Sequence, residues 1–259
     1  IVRRLVGSEM CIRDRTKPVF RDAMTGMALL AYLGHCELQD SPTFGPTVQK
    51  GIDFLTSTPP DKSVGAGNYG SYSHPIRTYA LCEAYTMTKI PKLKEYAKRA
   101  SEFIIKGQNE SGGWAYGYGK GPVAHTDLSV TGWNIQALKA AALTGIPIDG
   151  LDESMDKAVA YTKRCQDKSG KFAYKESSGG KPSLTGTGVL CLQIWKNASS
   201  KEAAMGLDWI IANQKKDWKD IDVYEWYYHA QACFQATGVS GGSKYWRAVS
   251  YTHLTLPTT

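Results

Sequence analysis

Apolar residues along this chain fall into helix-length blocks of two alternating kinds. "MTGMALLAYLG" from 24, "IRTYALCEAYTMT" from 76, "VTGWNIQALKAAALTG" from 130, "LTGTGVLCLQIW" from 184 and "WYYHAQACFQATG" from 226 are rich in Ala, Leu and small residues and poor in charge. Between them lie "VQKGIDFLTSTP", "AKRASEFIIKGQ", "MDKAVAYTKRCQ" and "AMGLDWIIANQ", whose apolar positions keep to one face of a helix. A helix without a polar face must be covered all round, and one with an apolar stripe needs cover on one side only. The pattern therefore predicts an all-α fold in two layers, with charge-poor inner helices and amphipathic outer ones.

The outer blocks align as copies of one unit. Each has a small residue (Gly51, Ala100, Ala158, Gly206) and an aromatic three positions on (Phe54, Phe103, Tyr161, Trp209). Three have glutamine eight positions on (Gln108, Gln166, Gln214), and the first has Pro59 there. A basic residue precedes the small one in three copies (Lys50, Arg99, Lys157), with Met205 the exception. Copies recur about every 50 residues, enough for two helices and two loops, and such pairs bury their faces only by stacking on neighbours.

After the glutamine comes a turn and an aromatic: Gln108 with Gly113 and Trp114, Gln166 with Gly170 and Phe172, Gln214 with Trp218. A helix end leaves carbonyls unpaired and a helix start leaves amides unpaired. Glutamine offers both an acceptor and a donor, so one side chain can bridge the two at a repeat junction. Glycine permits the returning turn, and the flat ring covers the joint. These residues read as structural staples.

The chain ends are expected to be foreign to the fold. Written in the codons ATG TGT ATA AGA GAC AG, Met10–Arg15 has an opposite strand that reads CT GTC TCT TAT ACA CAT and translates as "VSYTH", which is Val249–His253. One DNA element in two orientations accounts for both, and the longer runs resemble translated sequencing adaptors. Segments 1–15 and 249–259 are accordingly set apart, and 16–248 is read as one repeat domain, cut at both ends.

Charge adds little. The net +7 falls to +5 for 16–248, because 1–15 holds four arginines against two acids. Lysines cluster only where acids interleave, as in "KLKEYAKR" and "QKKDWKD", which describes a solvated helix face and not a nucleic-acid stripe. The cysteines of 16–248 (36, 82, 165, 191, 233) show no C-x-x-C pair and mostly sit in apolar helical context as core thiols. No apolar run is long enough to span a bilayer. The compartment is left open.

Basic-small-x-x-aromatic, then glutamine, then a glycine loop ending in tryptophan resembles the QW repeat of squalene and hopene cyclases and of protein prenyltransferase β subunits. "YSHPIRTYALCEAY" and "DLSVTGWNIQALKAA" are similar to segments of bacterial squalene-cyclase-like proteins in that superfamily. The resemblance covers nearly all of 16–248. It implies an incomplete α/α toroid, helix pairs closing around a central cavity, and an isoprenoid or other hydrophobic small molecule as ligand. No cofactor and no metal are expected, since the zinc pattern of the prenyltransferases is incomplete here, and a protein partner is not specified.

The chemistry of those enzymes is not matched residue for residue. The cyclases' D-x-D-D has "DIDV" (220–223) as its nearest counterpart, without the fourth acid. The zinc pattern Asp-x-Cys would use Asp222, but Tyr224 stands where the thiolate belongs. No H-x-x-x-H spacing or G-x-S-x-G elbow is present. At the expected starts of inner helices there remain aromatic and polar residues that could line a cavity mouth: Tyr72, His74, His125, Trp133, Tyr224, Trp226, Tyr227 and Tyr228. Asp127 and Asp222 are the candidate acids, and Ser73, Asp127 and Asp222 also read as helix caps. The alternative to a ligand-holding domain is a catalytically silent toroid used for binding or protein interaction.

Overall fold

The computed structural model describes residues 20–62, 70–119, 125–215, 220 and 222–253. Among the described residues there are ten α-helices, two short 3₁₀ turns and no strand; Gln166–Phe172 and Ala173–Gly180 form isolated bridges. The helices are α1 (Arg21–Gly34), α2 (Gly45–Thr56), α3 (Gly70–Thr88), α4 (Pro91–Lys106), α5 (Leu128–Leu143), α6 (Leu151–Arg164), α7 (Pro182–Ile194), α8 (Lys201–Ala212), α9 (Val223–Gln235) and α10 (Ser243–His253). Every inner block predicted above falls on an odd-numbered helix and every outer block on an even-numbered one. α10 runs through the boundary at 248 and buries Val249.

Burial follows charge. α3 buries twelve of nineteen residues and α7 nine of thirteen, whereas α4 buries six of sixteen and α8 four of twelve. Local chemistry sets the ends. Proline occupies the first turn of α2, α4 and α7, where its missing N–H would be unpaired anyway. Ser200 caps α8 by accepting from the Ala203 amide at 3.2 Å. α6 opens on Asp152 and Glu153 and closes on Lys163 and Arg164, charges that complement the helix dipole. One start differs from the sequence reading: α3 begins at Gly70, so Ser73 is buried inside the helix instead of capping it, and Pro75 lies within.

The chain divides into two compact units. The first holds α1–α4, the Tyr116–Tyr118 turn and the later part of α5; α1 packs on α2 and α3, and α3 on α4. Its core joins Leu29 and Leu33, Val48, Ile52 and Leu55, Leu81, and Leu93 with Tyr96, whose hydroxyl donates to Leu55 O at 3.0 Å and Thr58 O at 2.8 Å. The second holds 109–114, the start of α5, and α6–α10; α7 packs on α8 and α9, and α10 on α8 and α9.

Within the second unit, two joints repeat one geometry. In 109–113, Asn109 N–H donates to Gly113 O (2.9 Å) and Gly112 N–H to Asn109 O (2.8 Å); in 167–171, Asp167 N–H donates to Lys171 O (2.9 Å) and Gly170 N–H to Asp167 O (3.1 Å). The aromatic that follows is fully buried in both, and its amide donates to a threonine of an inner helix: Trp114 to Thr131 Oγ1 at 3.0 Å, Phe172 to Thr185 Oγ1 at 3.3 Å. Gln166 Nε2 donates to Gly170 O (3.0 Å) and to Glu202 O in the first turn of α8 (2.8 Å). The glutamine thus ties its own loop to the next outer helix through two carbonyls, where a carbonyl and an amide were expected. Gln108 is half-buried just after α4, Gln214 is half-buried after α8, and Trp218 lies outside the described residues.

Candidate functional site

In the first unit, Tyr72 and His74 stand in the opening turns of α3. The Tyr72 and Tyr116 hydroxyls are 2.8 Å apart, with the rings edge to face. His74 is fully buried, and its ring packs on Phe103 and, edge-on, on Tyr118. Arg77 Nη2 lies 3.1 Å from His74 Nδ1 and 2.9 Å from Lys62 O. Nδ1 also lies 3.1 Å from Lys62 O; in the tautomer that accepts from the Arg77 guanidinium, the proton is on Nε2, 3.1 Å from Ala100 O of α4. Burial, reinforced by the Arg77 charge, pushes the His74 pKa down to about 3, so the ring stays neutral. It is a strut between α3 and α4.

Arg77 is the residue the sequence reading passed over. It is fully buried, with its guanidinium over the Tyr96 ring, and it holds the chain after α2 through Lys62 O and, at 3.4 Å, Pro59 O. A lone arginine in a charge-poor inner block was the available signal.

In the second unit, Asp127 caps α5: Oδ1 accepts from the Val130 amide at 2.9 Å. The residue is fully buried, and Oδ2 makes no hydrogen bond of normal geometry. Burial raises its pKa to about 6, against smaller lowering influences from the Val130 amide and the Tyr174 hydroxyl. Asp222 caps α9, accepting at Oδ1 from the amides of Tyr224 (2.9 Å) and Glu225 (3.3 Å), and is exposed. His125 is exposed ahead of α5.

Four of the predicted residues come together here. Trp133 of α5 stacks on Tyr227 with ring centroids 6.3 Å apart and meets Tyr228 edge-on at 6.1 Å; Tyr228 in turn lies 4.9 Å from Tyr224 and 5.0 Å from Tyr227. Helical spacing produces the group, because 224, 227 and 228 lie within one turn of α9. Its interior is dry: Tyr228 is 0% exposed and Trp133 7%. Its rim is not, since Tyr227 is 37% exposed and the neighbouring Val223 78%. The Tyr224 hydroxyl meets Ser129 Oγ at 2.9 Å. Trp226 is half-buried on the same helix.

Glu225 and His229, on the same helix, form a second pair. Both are buried, with Glu225 Oε2 3.0 Å from Lys215 Nζ and Oε1 3.9 Å from His229 Nδ1. Two open surface depressions lie elsewhere: one of about 410 Å³ at Pro91, Lys94, Lys98 and Ile146, and one of about 480 Å³ along 196–200. Among the described residues no cluster of His, Cys, Asp and Glu could hold a metal ion, and no helix is long and apolar enough to cross a membrane.

No protein-family model matches the chain, and no curated protein matches it significantly.

Proposed function

We propose that this chain is a squalene-cyclase- and prenyltransferase-like repeat domain, part of an α/α toroid, that binds a hydrophobic isoprenoid-type molecule at the aromatic group of α5 and α9 and does not turn it over. The observation that carries the binding reading is the ring cluster of Trp133, Tyr224, Tyr227 and Tyr228, apolar within and open at Tyr227 and Val223. Apolar surface left in water at such a rim favours cover by an apolar chain, at about 25 cal/mol per Å² removed from solvent. Toroid membership is supported by the alternation of charge-poor and amphipathic helices and by the repeated loop-to-helix joints.

The silent reading is favoured by the acids. Asp222 spends Oδ1 on two amides of its own helix as its cap, and Asp127 is closed off from solvent, so both serve as helix caps. A proton donor must lie within hydrogen-bond reach of the atom it protonates.

The test is lipid extraction of the purified protein followed by mass spectrometry, beside a helical protein of unrelated fold prepared in the same cells. Enrichment of a long-chain isoprenoid, lost in a Tyr227→Ser, Val223→Ser variant, is the expected result; equal lipid in both proteins refutes the ligand. Squalene is expected to survive incubation unchanged, and a cyclic product abolished by Asp222→Asn would refute the silent reading.

A further inference from the structure

α7 and α9 are charge-poor helices of the same length, yet α7 buries nine of its thirteen residues and α9 only five. Those five, Glu225, Tyr228, His229, Ala232 and Cys233, share one side of the helix, and Glu225 is the only acid among its residues. On the opposite side Val223, Tyr227, Ala230 and Phe234 stand in one row, at spacings that keep them within about 60° of the helix circumference. Val223 is 78% exposed, Tyr227 37% and Phe234 54%, and Ala230 is half-buried. Aromatic pairs stand toward both ends of the row: Tyr227 stacks on Trp133, and Phe234 meets Trp246 of α10 edge-on at 5.3 Å.

A helix without a polar face needs cover all round, and the dimensions of the row decide what fits it. From Val223 to Phe234 the row is about 16 Å long, at about 1.5 Å per residue, and at a width of about 10 Å it offers roughly 160 Å². A stable protein interface takes about 800 Å² from each partner, so the row is too small to hold a second copy of this chain. It has the length and width of a single extended hydrocarbon chain, and it carries no charge that calls for a counter-ion. An extended chain advances about 1.2 Å per bond, so the carbon backbones of geraniol, farnesol and geranylgeraniol span about 8 Å, about 13 Å and about 18 Å. With one end on Val223 and Tyr227, the first stops short of Ala230, the second passes Ala230 and stops short of Phe234, and the third reaches Phe234. Building on the binding reading above, we infer that the ligand class is a linear prenyl chain of at least geranylgeranyl length, laid along α9, and that Phe234 is the residue that selects for this length.

The test is equilibrium dialysis of the full chain against geraniol, farnesol and geranylgeraniol, with the parent and the variants Phe234→Ser and Ala230→Gln. Phe234→Ser is expected to weaken geranylgeraniol about tenfold, the scale of losing the cover over a half-exposed phenyl ring, and to leave geraniol and farnesol unchanged. Ala230→Gln is expected to weaken farnesol and geranylgeraniol and to spare geraniol. Each comparison follows one prenol across variants, so the greater hydrophobicity of the longer chains cancels. Both positions lie on the open side of α9, so the fold is retained. Equal losses for all three prenols, or no loss in either variant, would overturn the length assignment and leave the binding site standing. Failure of all three prenols to bind the parent would overturn both, and a dimer in sedimentation that Phe234→Ser dissolves would overturn the row as a ligand track.

Discussion

The carbonyl oxygen of Lys157 stands 2.4 Å from where a β-carbon on Gly112 would lie, and the carbonyl of Met205 stands in the same relation to Gly170, at 2.7 Å. Both glycines follow an outer helix, and both contacted residues immediately precede the small residue of the next one, Ala158 and Gly206. The repeat unit seen in the sequence is therefore a packing unit: a turn that ends one outer helix is pressed against the backbone of the next. A glycine in the turn is what the contact requires. At Gly206 a β-carbon would also approach the Phe172 ring, at 3.2 Å.

Gly112→Ala is expected to destabilise the protein by about 2–4 kcal/mol, since it combines backbone overlap with a left-handed φ of +94°. Gly145 separates the two effects. Its φ is +76° but nothing lies within 4 Å of the added carbon, so Gly145→Ala is expected to cost only about 1 kcal/mol. Urea unfolding of both variants measures the difference, and equal losses would remove the packing role of Gly112.

Much of this was legible in the sequence, because charge content decides burial in a two-layer helical fold. Nine of the ten helices among the described residues, α1 to α9, and their alternation follow from where charges are missing, and Gln166 was readable as a staple because its spacing from Ala158 repeats. The choice of partners was not readable. Thr131 and Thr185 accept from the amides of Trp114 and Phe172, contacts made across 17 and 13 residues by whichever hydroxyl tertiary packing delivers. Ser73 read as a cap, but α3 starts earlier, at Gly70, and carries both Ser73 and Pro75 within it. The division into two units left no compositional mark, since α5 contributes residues to both.

The bridge made by Gln166 is expected to be worth about 1–3 kcal/mol, the usual range for a half-buried amide that serves two carbonyls. Gln166→Met keeps the length and removes both donors. Amide hydrogen exchange should then show faster opening of the first turn of α8, where Glu202 loses its partner, with α7 less affected. Unchanged protection at α8 would mean the glutamine fills space and nothing more.

Asp127 and His74 pull the acid stability profile in opposite directions. The Asp127 pKa is raised by burial from 3.8 to about 6, so the folded state holds a proton that the unfolded chain releases. Its contribution is complete below pH 3.8 and is lost as pH rises through about 6. The His74 pKa is lowered by burial from 6.5 to about 3; its contribution is complete above 6.5 and is lost as pH falls toward 3. Between pH 4 and 6 each changes stability by up to about 1.4 kcal/mol per pH unit, with opposite sign, and the two largely cancel. Asp127→Asn keeps the acceptor that caps α5 and removes the proton. Relative to the parent, the variant should gain about 2–3 kcal/mol above pH 6 and nothing near pH 4, exposing the slope due to His74 in urea titrations across that range. A gain independent of pH would show that the carboxyl is not the group being charged in the fold.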